Sequence, residues 1–274
     1  GGIDLSVGAV MAASQLLLVG LAHWGLSGWP AIAAVLAAGF VVGAGVNGLL
    51  IGVAKLNFFV VTLASMTFGY GIVDVATNGA TTILTSPLLR ALGNDLLAGV
   101  PVPTVVFVVL LLLMAVVLHR TTLGRAVFSV GGNTEAARLA GIPVSATVVV
   151  VYGISGLCAA LGGVIEAGRF MAATPTTGDT IALTSVAAVL LGGTSLKGGT
   201  GGLTGTVAGV LVIGVLGNGV DLLGINAYWQ GIVTGLVLVA AVALDRFQHM
   251  GSGRRRRVMG RLRNRSAPDP APGR

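Results

Sequence analysis

Three acidic side chains lie in or next to long apolar stretches of the sequence, where charged chemistry is least expected. They are Asp4, Asp74 and Glu166. A carboxylate at membrane depth is costly, and in transporters such groups can couple solute movement to protons or sodium ions. One open hypothesis is therefore an ion-coupled secondary transporter of a small polar solute, in which these three acids are the coupling residues.

The sequence contains no pattern typical of catalysis or of a metal site. Its three histidines, His23, His119 and His249, each lie near the end of an apolar stretch, and no ligand spacing links them. Cys158 is the single cysteine and lies in an apolar run, so no disulfide can form within the chain. We expect a protein that is not an enzyme, with no catalytic residue, no metal and no cofactor of its own.

One polar run between two long apolar segments, residues 131–143, predicts a short helix outside the membrane, and it is the only mid-chain run of this kind. Asn133 is a good N-cap, and Glu135 and Arg138 suit the two ends of the helix dipole. Gly141 can end the helix. We interpret it as a docking helix that receives work from a partner, although an ordinary interfacial loop helix would show the same pattern.

The composition predicts the elements that must position these residues. Of the 274 residues, 54% are hydrophobic and 9% are charged, whereas soluble domains carry about 25% charged residues. Several runs approach the roughly 20 apolar residues that a membrane-spanning helix needs, and the alternating strands of an outer-membrane barrel are not visible. We therefore expect an all-α, polytopic helical membrane protein.

About eight transmembrane segments are predicted, including broken or re-entrant helices. Their approximate ranges are 3–21, 30–51, 58–76, 101–118, 145–167, 181–193, 203–222 and 227–244. The sixth is short and runs into a glycine-rich stretch that we interpret as a helix break in a transport path. The glycines that mark this break are Gly192, Gly193, Gly198 and Gly199.

Glycine spacing in the second span has two interpretations. Gly39-x-x-x-Gly43 and Gly48-x-x-x-Gly52 are typical of close helix packing in membranes. Gly43-x-Gly45-x-x-Gly48 formally matches a dinucleotide-binding fingerprint. No strand precedes that match, so we favour packing over nucleotide binding.

The charge distribution predicts the orientation of the chain. Much of the net charge of +7 comes from arginines between residues 254 and 265. A basic tail directly after a span is typical of the cytoplasmic side, where it contacts anionic membrane lipid, and it does not indicate nucleic-acid binding. Counting spans back from this end places residues 131–143 in the cytoplasm. We expect a transmembrane domain over residues 1–247 and a basic, disordered cytoplasmic tail over residues 248–274.

Five segments of the sequence resemble motifs of the ribose-type, or monosaccharide, permeases of bacterial ABC importers. They are GIDLSVG at 2–8, FVVTL at 59–63, GGNTEAARLAGI at 131–142, LGGTSL at 191–196, and GNG at 217–219 with WQ at 229–230. Two positions depart from the family pattern, with Ala64 in place of glycine and Ala140 in place of serine. The resemblance covers nearly the whole chain in order and implies further spans upstream. The abrupt start at Gly1 agrees with an N-terminally truncated sequence.

The resemblance implies a function and a set of partners. The chain would be the inner-membrane permease subunit of an importer for ribose, xylose or a related sugar. It would pair with a second permease subunit, a second copy of itself, with two cytoplasmic ATPases that use ATP and Mg, and with an extracytoplasmic sugar-binding protein. The coupling segment would be residues 121–143. Its ATPase-contacting residues would be Asn133, Glu135, Ala136, Arg138, Leu139 and Gly141.

A path for a neutral sugar needs hydrogen-bonding groups more than charges. Polar residues within the predicted spans are therefore candidates for its lining, and we select Asn47, Thr62, Ser65 and Asn218. Polar side chains that only join neighbouring helices look the same in a sequence, so that alternative stays open.

Overall fold

A computed structural model describes residues 1–224 and, beyond them, residues 229, 231, 232, 235, 236 and 239. Helices dominate the described part, and two short two-stranded ribbons lie in its connections. The helices are α1 Val7–His23, α2 Trp29–Val42, α3 Leu49–Gly52, α4 Phe58–Thr77, α5 Pro87–Asn94, α6 Val102–Arg120, α7 Thr122–Gly132, α8 Thr134–Leu139, α9 Val144–Phe170, α10 Ile181–Leu191 and α11 Leu203–Leu222. The antiparallel ribbons pair β1 Thr82–Ile83 with β4 Ala172–Ala173, and β2 Leu96–Leu97 with β3 Val100–Pro101.

The predicted class, an all-α polytopic membrane protein, is confirmed. Five helical stretches of the described part are long and apolar enough to cross a membrane, and α1 and α10 are shorter apolar helices. The five are Trp29–Gly52, Phe58–Thr77, Val102–Arg120, Val144–Phe170 and Leu203–Val220. The predicted eighth segment, 227–244, and the predicted tail, 248–274, lie outside the described residues. The number of eight spans stays a prediction.

Helix α9 is the centre of the packing, because small residues let its neighbours approach closely. The second span crosses it as one continuous helical stretch, in which the π-helical segment Gly43–Gly48 joins α2 to α3. Gly39 and Gly43 lie against the backbone around Gly156 of α9, and Gly52 lies against Ser145. The packing interpretation of these glycines is confirmed, and the dinucleotide-like match lies within this helical stretch.

Two parts of the chain predicted as connections contain helices. Helix α5 begins where Ser86 accepts a hydrogen bond from the backbone N–H of Leu89, with Pro87 in the first turn. It packs against the end of α9, where the backbones of Gly93 and Gly168 meet. Helix α7 fills the connection between α6 and α8, so the mid-chain polar run is not the only short helix. Both were missed because amphipathic helices of this length lack a long apolar run.

Candidate functional site

Helix α8 forms where the sequence predicts a docking helix, and its two ends are capped as expected; its contact with a partner stays a prediction. The side-chain oxygen of Asn133 accepts the backbone N–H of Ala136 at 2.9 Å. At the other end, the N–H of Gly141 donates to the carbonyl of Arg138, and the N–H of Ile142 donates to that of Ala137. Gly141 has φ +79°, so the pair of bonds forms a glycine-terminated Schellman motif.

One face of α8 is free in this chain. Ala137 is buried against the protein at 4% exposure, whereas the neighbouring Leu139 is 76% exposed. Glu135, Ala136 and Arg138 are also exposed. Single exposed apolar side chains are common on protein surfaces, so this exposure leaves Leu139 accessible to a partner without identifying one.

A charged pair lies on the same face. Arg138 donates two hydrogen bonds to Glu135, at 2.6 and 3.1 Å. These bonds lower the pKa of the Glu135 carboxyl below its usual value and raise the pKa of Arg138. Both groups therefore stay charged at neutral pH. Because the pair is exposed, it fixes the pattern of charge on α8 more than it stabilises the fold.

The residues just before α8 contact the glycine-rich connection between α10 and α11. A Cβ on Gly131 would lie 2.7 Å from the backbone nitrogen of Gly199, and one on Gly199 would lie 2.6 Å from the Cα of Gly132. Real Cβ atoms do not approach so closely, so only glycine permits this contact. The docking helix is thereby joined to the glycines predicted as a helix break.

Those glycines lie where α10 stops and before α11 begins. Helix α10 ends at Leu191, Gly192 caps it, and Gly193, Gly198 and Gly199 have positive φ values of 82°, 81° and 74°. Helices α10 and α11 pack closely, because a side chain on Gly192 would run into the backbone of Gly205. At 11 residues, α10 spans only about 16 Å and cannot cross a bilayer core of about 30 Å by itself.

Two of the four predicted path residues, Asn47 and Ser65, belong to one hydrogen-bond network. Ser65 donates to the side-chain oxygen of Asn47 at 2.6 Å, and Asn47 donates to the Ser6 hydroxyl at 2.8 Å. Ser6 donates to one carboxylate oxygen of Asp4 at 2.6 Å, and Ser155 of α9 donates to the other at 2.6 Å. We call this set, which contains Asp4, Ser6, Asn47, Ser65 and Ser155, the Asp4 network.

The Asp4 network ties the segment before α1 to three other elements. It reaches the π-helical segment through Asn47, α4 through Ser65 and α9 through Ser155. Asn47 is 1% exposed, and Thr62, which bonds the Phe58 carbonyl at 2.8 Å, is fully buried. A solute cannot reach these two side chains in this conformation, and their role in a path stays a prediction.

The fourth predicted path residue, Asn218, lies apart from the other three. It is exposed near the end of α11. The histidines that the structure describes bond backbone within their own helices: His23 lies 2.8 Å from the carbonyl of Val19, and His119 lies 2.9 Å from that of Ala115. His249 lies outside the described residues.

The spans predicted at 145–167 and 181–193 leave a connection between them that was expected outside the membrane. The structure has a non-helical stretch there, residues 171–180, but this stretch lies against α1 inside the protein. The backbone N–H of Thr174 and the hydroxyl of Thr177 both donate to the side-chain oxygen of Gln15, at 2.9 and 3.2 Å. Gln15 lies at the middle of α1 and is 1% exposed. Pro175 and Gly178 were the available signals, because both disfavour continued helix, but they were assigned to a loop outside the membrane.

The family model described as "Branched-chain amino acid transport system / permease component" matches residues 1–242. The chain belongs to this permease family. It is 42% identical to the ribose import permease protein RbsC of Bacillus subtilis, over 90% of this chain and 77% of that protein. It is 39% identical to RbsC of Escherichia coli K12, over 89% of this chain and 77% of that protein.

A third relative of this permease is named for L-arabinose instead of ribose. It is the L-arabinose transport system permease protein AraH of Escherichia coli K12, 37% identical over 90% of this chain and 75% of that protein. No solved structure matches the permease. The family model and the three relatives confirm the resemblance that was inferred from the sequence motifs.

Proposed function

We propose that this chain is the membrane subunit of an ATP-driven importer that carries a monosaccharide, such as ribose, xylose or a related sugar, across the bacterial cytoplasmic membrane. The observation that carries the proposal is α8, a capped helix with an exposed face, in a chain that belongs to a transport permease family. The names of the relatives, which refer to ribose import and L-arabinose transport, support a pentose-sized solute.

The proposed assembly contains a second copy of the chain, two cytoplasmic ATPases that use ATP and Mg, and an extracytoplasmic sugar-binding protein. The chain itself carries no cofactor. In this proposal eight spans cross the membrane within residues 1–247, and α8 and the tail, 248–274, are cytoplasmic. None of the residues of helix α6 is buried in the described chain, which supports an assembly in the membrane, because its exposed apolar surface must be covered by lipid or by another subunit.

The proposed mechanism moves work from α8 into the spans. Closure of the ATPases on ATP displaces α8, which they contact through Glu135, Ala136, Arg138 and Leu139, while the caps Asn133 and Gly141 hold its ends. The glycine contact then passes this displacement to the connection between α10 and α11. Two backbones in van der Waals contact cannot absorb a shift by side-chain rotation, so the helices that they join must move.

Uptake measured in proteoliposomes tests this function. The full permease is reconstituted with its ATPase and binding protein, and import of radiolabelled ribose and L-arabinose is followed with and without ATP. We expect ATP-dependent import that Leu139→Glu abolishes, because a charge replaces the exposed apolar contact. Leu97→Glu, which alters an equally apolar and 60% exposed side chain in β2, is the matched control and should import normally.

The ion-coupled alternative predicts a different result in the same vesicles. Sugar import that continues without any ATPase, and that follows a proton or sodium gradient, would overturn the proposal. Asp4, Asp74 and Glu166 would then become the residues to test. Equal losses in Leu139→Glu and Leu97→Glu would instead remove the role assigned to α8.

A further inference from the structure

The irregular segment 171–180 runs alongside α1 inside the protein. Its backbone begins beside Leu84, whose N–H donates to the Met171 carbonyl at 2.9 Å. It passes Gln15, at the middle of α1, and reaches Gly8, in the first turn, where a Cβ would run into the carbonyl of Gly178. Residues 171–180 and α10 together therefore make one crossing of the protein, of which the first half is not helical.

The depth of this segment follows from its contact with α4. The Tyr70 hydroxyl donates to the carbonyl of Thr177 at 3.2 Å. Tyr70 lies about 18 Å from the start of α4 at Phe58 and about 10 Å from its end at Thr77, at 1.5 Å of rise per residue. Because α4 is a candidate span, non-helical backbone lies well within the membrane. Such backbone is tolerated only where protein buries it or water reaches it.

Polar side chains continue from this segment onto one face of α4. Thr67, Tyr70 and Asp74 are spaced by three and four residues, so they share a face of that helix. Thr67 and Asp74 are exposed, and Tyr70 is partly exposed. Asp179 and Thr180 are exposed and follow Thr177, whose carbonyl the Tyr70 hydroxyl bonds. We call Thr67, Tyr70, Asp74, Asp179 and Thr180 the polar strip.

Contact between the polar strip and the hydrocarbon core of the membrane would be energetically unfavourable. A carboxylate or hydroxyl that faces lipid costs free energy, so polar groups within spans face protein or a water-filled path. The Asp4 network avoids this cost by pairing its groups with one another. The polar strip instead presents two carboxylates and the hydroxyls of Thr67 and Thr180 at the surface of the chain, and the Thr67 hydroxyl also donates to the Leu63 carbonyl of its own helix at 3.0 Å.

We infer that the polar strip is the surface that a neutral polyhydroxylated solute contacts as it crosses the membrane. This inference rests on the proposed function and locates its path. Carboxylate oxygens accept hydrogen bonds from sugar hydroxyls, and threonine and tyrosine hydroxyls can both donate and accept. The ring of Tyr70 adds an apolar surface for the C–H groups of a sugar. Broken helices of transporters supply binding groups at membrane depth in the same manner.

Cys158, the single cysteine among the 274 residues, can be replaced to allow a direct test by thiol labelling. In a Cys158→Ala background, Thr180→Cys places one thiol in the polar strip, and Thr104→Cys places one at an exposed threonine of α6. The assembled importer in proteoliposomes is treated with a negatively charged methanethiosulfonate. Import of radiolabelled ribose and L-arabinose is then measured. We expect labelling to lower import by Thr180→Cys about tenfold or more, because several hydrogen bonds to the solute are blocked, while Thr104→Cys keeps its rate.

A second pair of variants requires no labelling. Asp179→Asn retains the size of the side chain but loses one acceptor and the charge, and we expect it to change the ratio of ribose to L-arabinose import severalfold. Asp95→Asn, at an exposed aspartate before β2, should leave that ratio unchanged. Melting temperatures of the purified proteins separate this effect from misfolding.

The outcomes distinguish a failure of the path at the polar strip from a failure of the proposed sugar-import function. Thr180→Cys that stays unlabelled, or that imports normally when labelled, would overturn the path at the polar strip and leave the proposed function standing. An unchanged sugar ratio in Asp179→Asn would count against the strip in the same way. An unmodified permease that imports no monosaccharide with its partners would overturn the proposed function and, with it, the inference.

Discussion

The Asp4 network and the polar strip contain the same kinds of side chain in opposite arrangements. In the network, the hydroxyls of Ser6 and Ser155 each donate to one oxygen of the Asp4 carboxylate, and the amide of Asn47 donates to Ser6. In the strip, Asp74 and Asp179 present their carboxylates at the surface of the chain. A closed set of hydrogen bonds fixes helices to one another, whereas an open set is available to a solute.

This difference has a thermodynamic consequence. Removing one partner from a closed network leaves other buried polar groups without hydrogen bonds, and the fold loses stability. Removing a group from an open surface leaves no buried polar group without a hydrogen bond. The fold should therefore keep its stability, and only the passing solute loses a contact. Stability and transport should therefore respond separately in the two regions.

The largest expected effect on stability is that of Asp4→Ala. It strands donors from Ser6, Asn47 and Ser155, and we expect a loss of about 1–3 kcal/mol in the free energy of unfolding. Thermal unfolding of the purified permease in detergent measures it as a lower Tm. Asp74→Ala removes a carboxylate from the strip and should cost less than about 0.5 kcal/mol. Similar Tm values for the two variants would contradict the distinction between closed and open sets.

Ser65→Ala sharpens the comparison within the closed network. Ser65 is the first donor in the series of hydrogen bonds that leads to Asp4, so its loss leaves only the side-chain oxygen of Asn47 without its donor. We expect a cost of about 0.5–1.5 kcal/mol, smaller than that of Asp4→Ala. The same thermal melts measure it, with Thr67→Val in the strip as the matched control. A greater loss in Ser65→Ala than in Asp4→Ala would show that the network does not converge on Asp4.

The smallest effect on stability and a clear effect on transport are expected for Thr67→Val and Asp74→Asn. Both substitutions keep the side-chain shape and remove a hydrogen-bonding function from the strip. We expect unchanged Tm values and a severalfold lower rate of ribose or L-arabinose import per inserted permease. A lower Tm with an unchanged rate would place these residues in helix packing instead.

The sequence predicted what depends on local chemistry. The caps at Asn133 and Gly141 are recognisable because each acts within one turn of helix. The long helices follow from runs of apolar residues, and the packing of Gly39 and Gly43 follows from their spacing. Helix α7 was missed because its start at the Thr121 cap carries no apolar run that separates it from a loop.

What depends on long-range contact could not be predicted. Asn47 and Ser65 were selected as path residues because they are polar within spans. The structure shows instead that Ser65 donates to Asn47, and that Asn47 donates to Ser6 and Asp4, which are far away in the sequence. The irregular segment 171–180 was assigned to an outer loop. Its position inside the protein depends on contacts with Gln15 and Tyr70, and a sequence does not show those contacts. A sequence alone does not show whether a polar side chain meets another residue or an open path.

The measurement that tests the central claim most directly is site-specific cross-linking of α8 to the ATPase. In the Cys158→Ala background, Leu139→Cys places a thiol on the exposed face of α8, and Ala137→Cys places one two residues away on its buried face. Cross-linking to cysteines of the ATPase is measured in membranes that contain the assembled importer. We predict that Leu139→Cys forms a cross-link whose yield changes when ATP is added, and that Ala137→Cys forms none. Absence of a cross-link at Leu139 in an importer that still carries sugar would contradict the account.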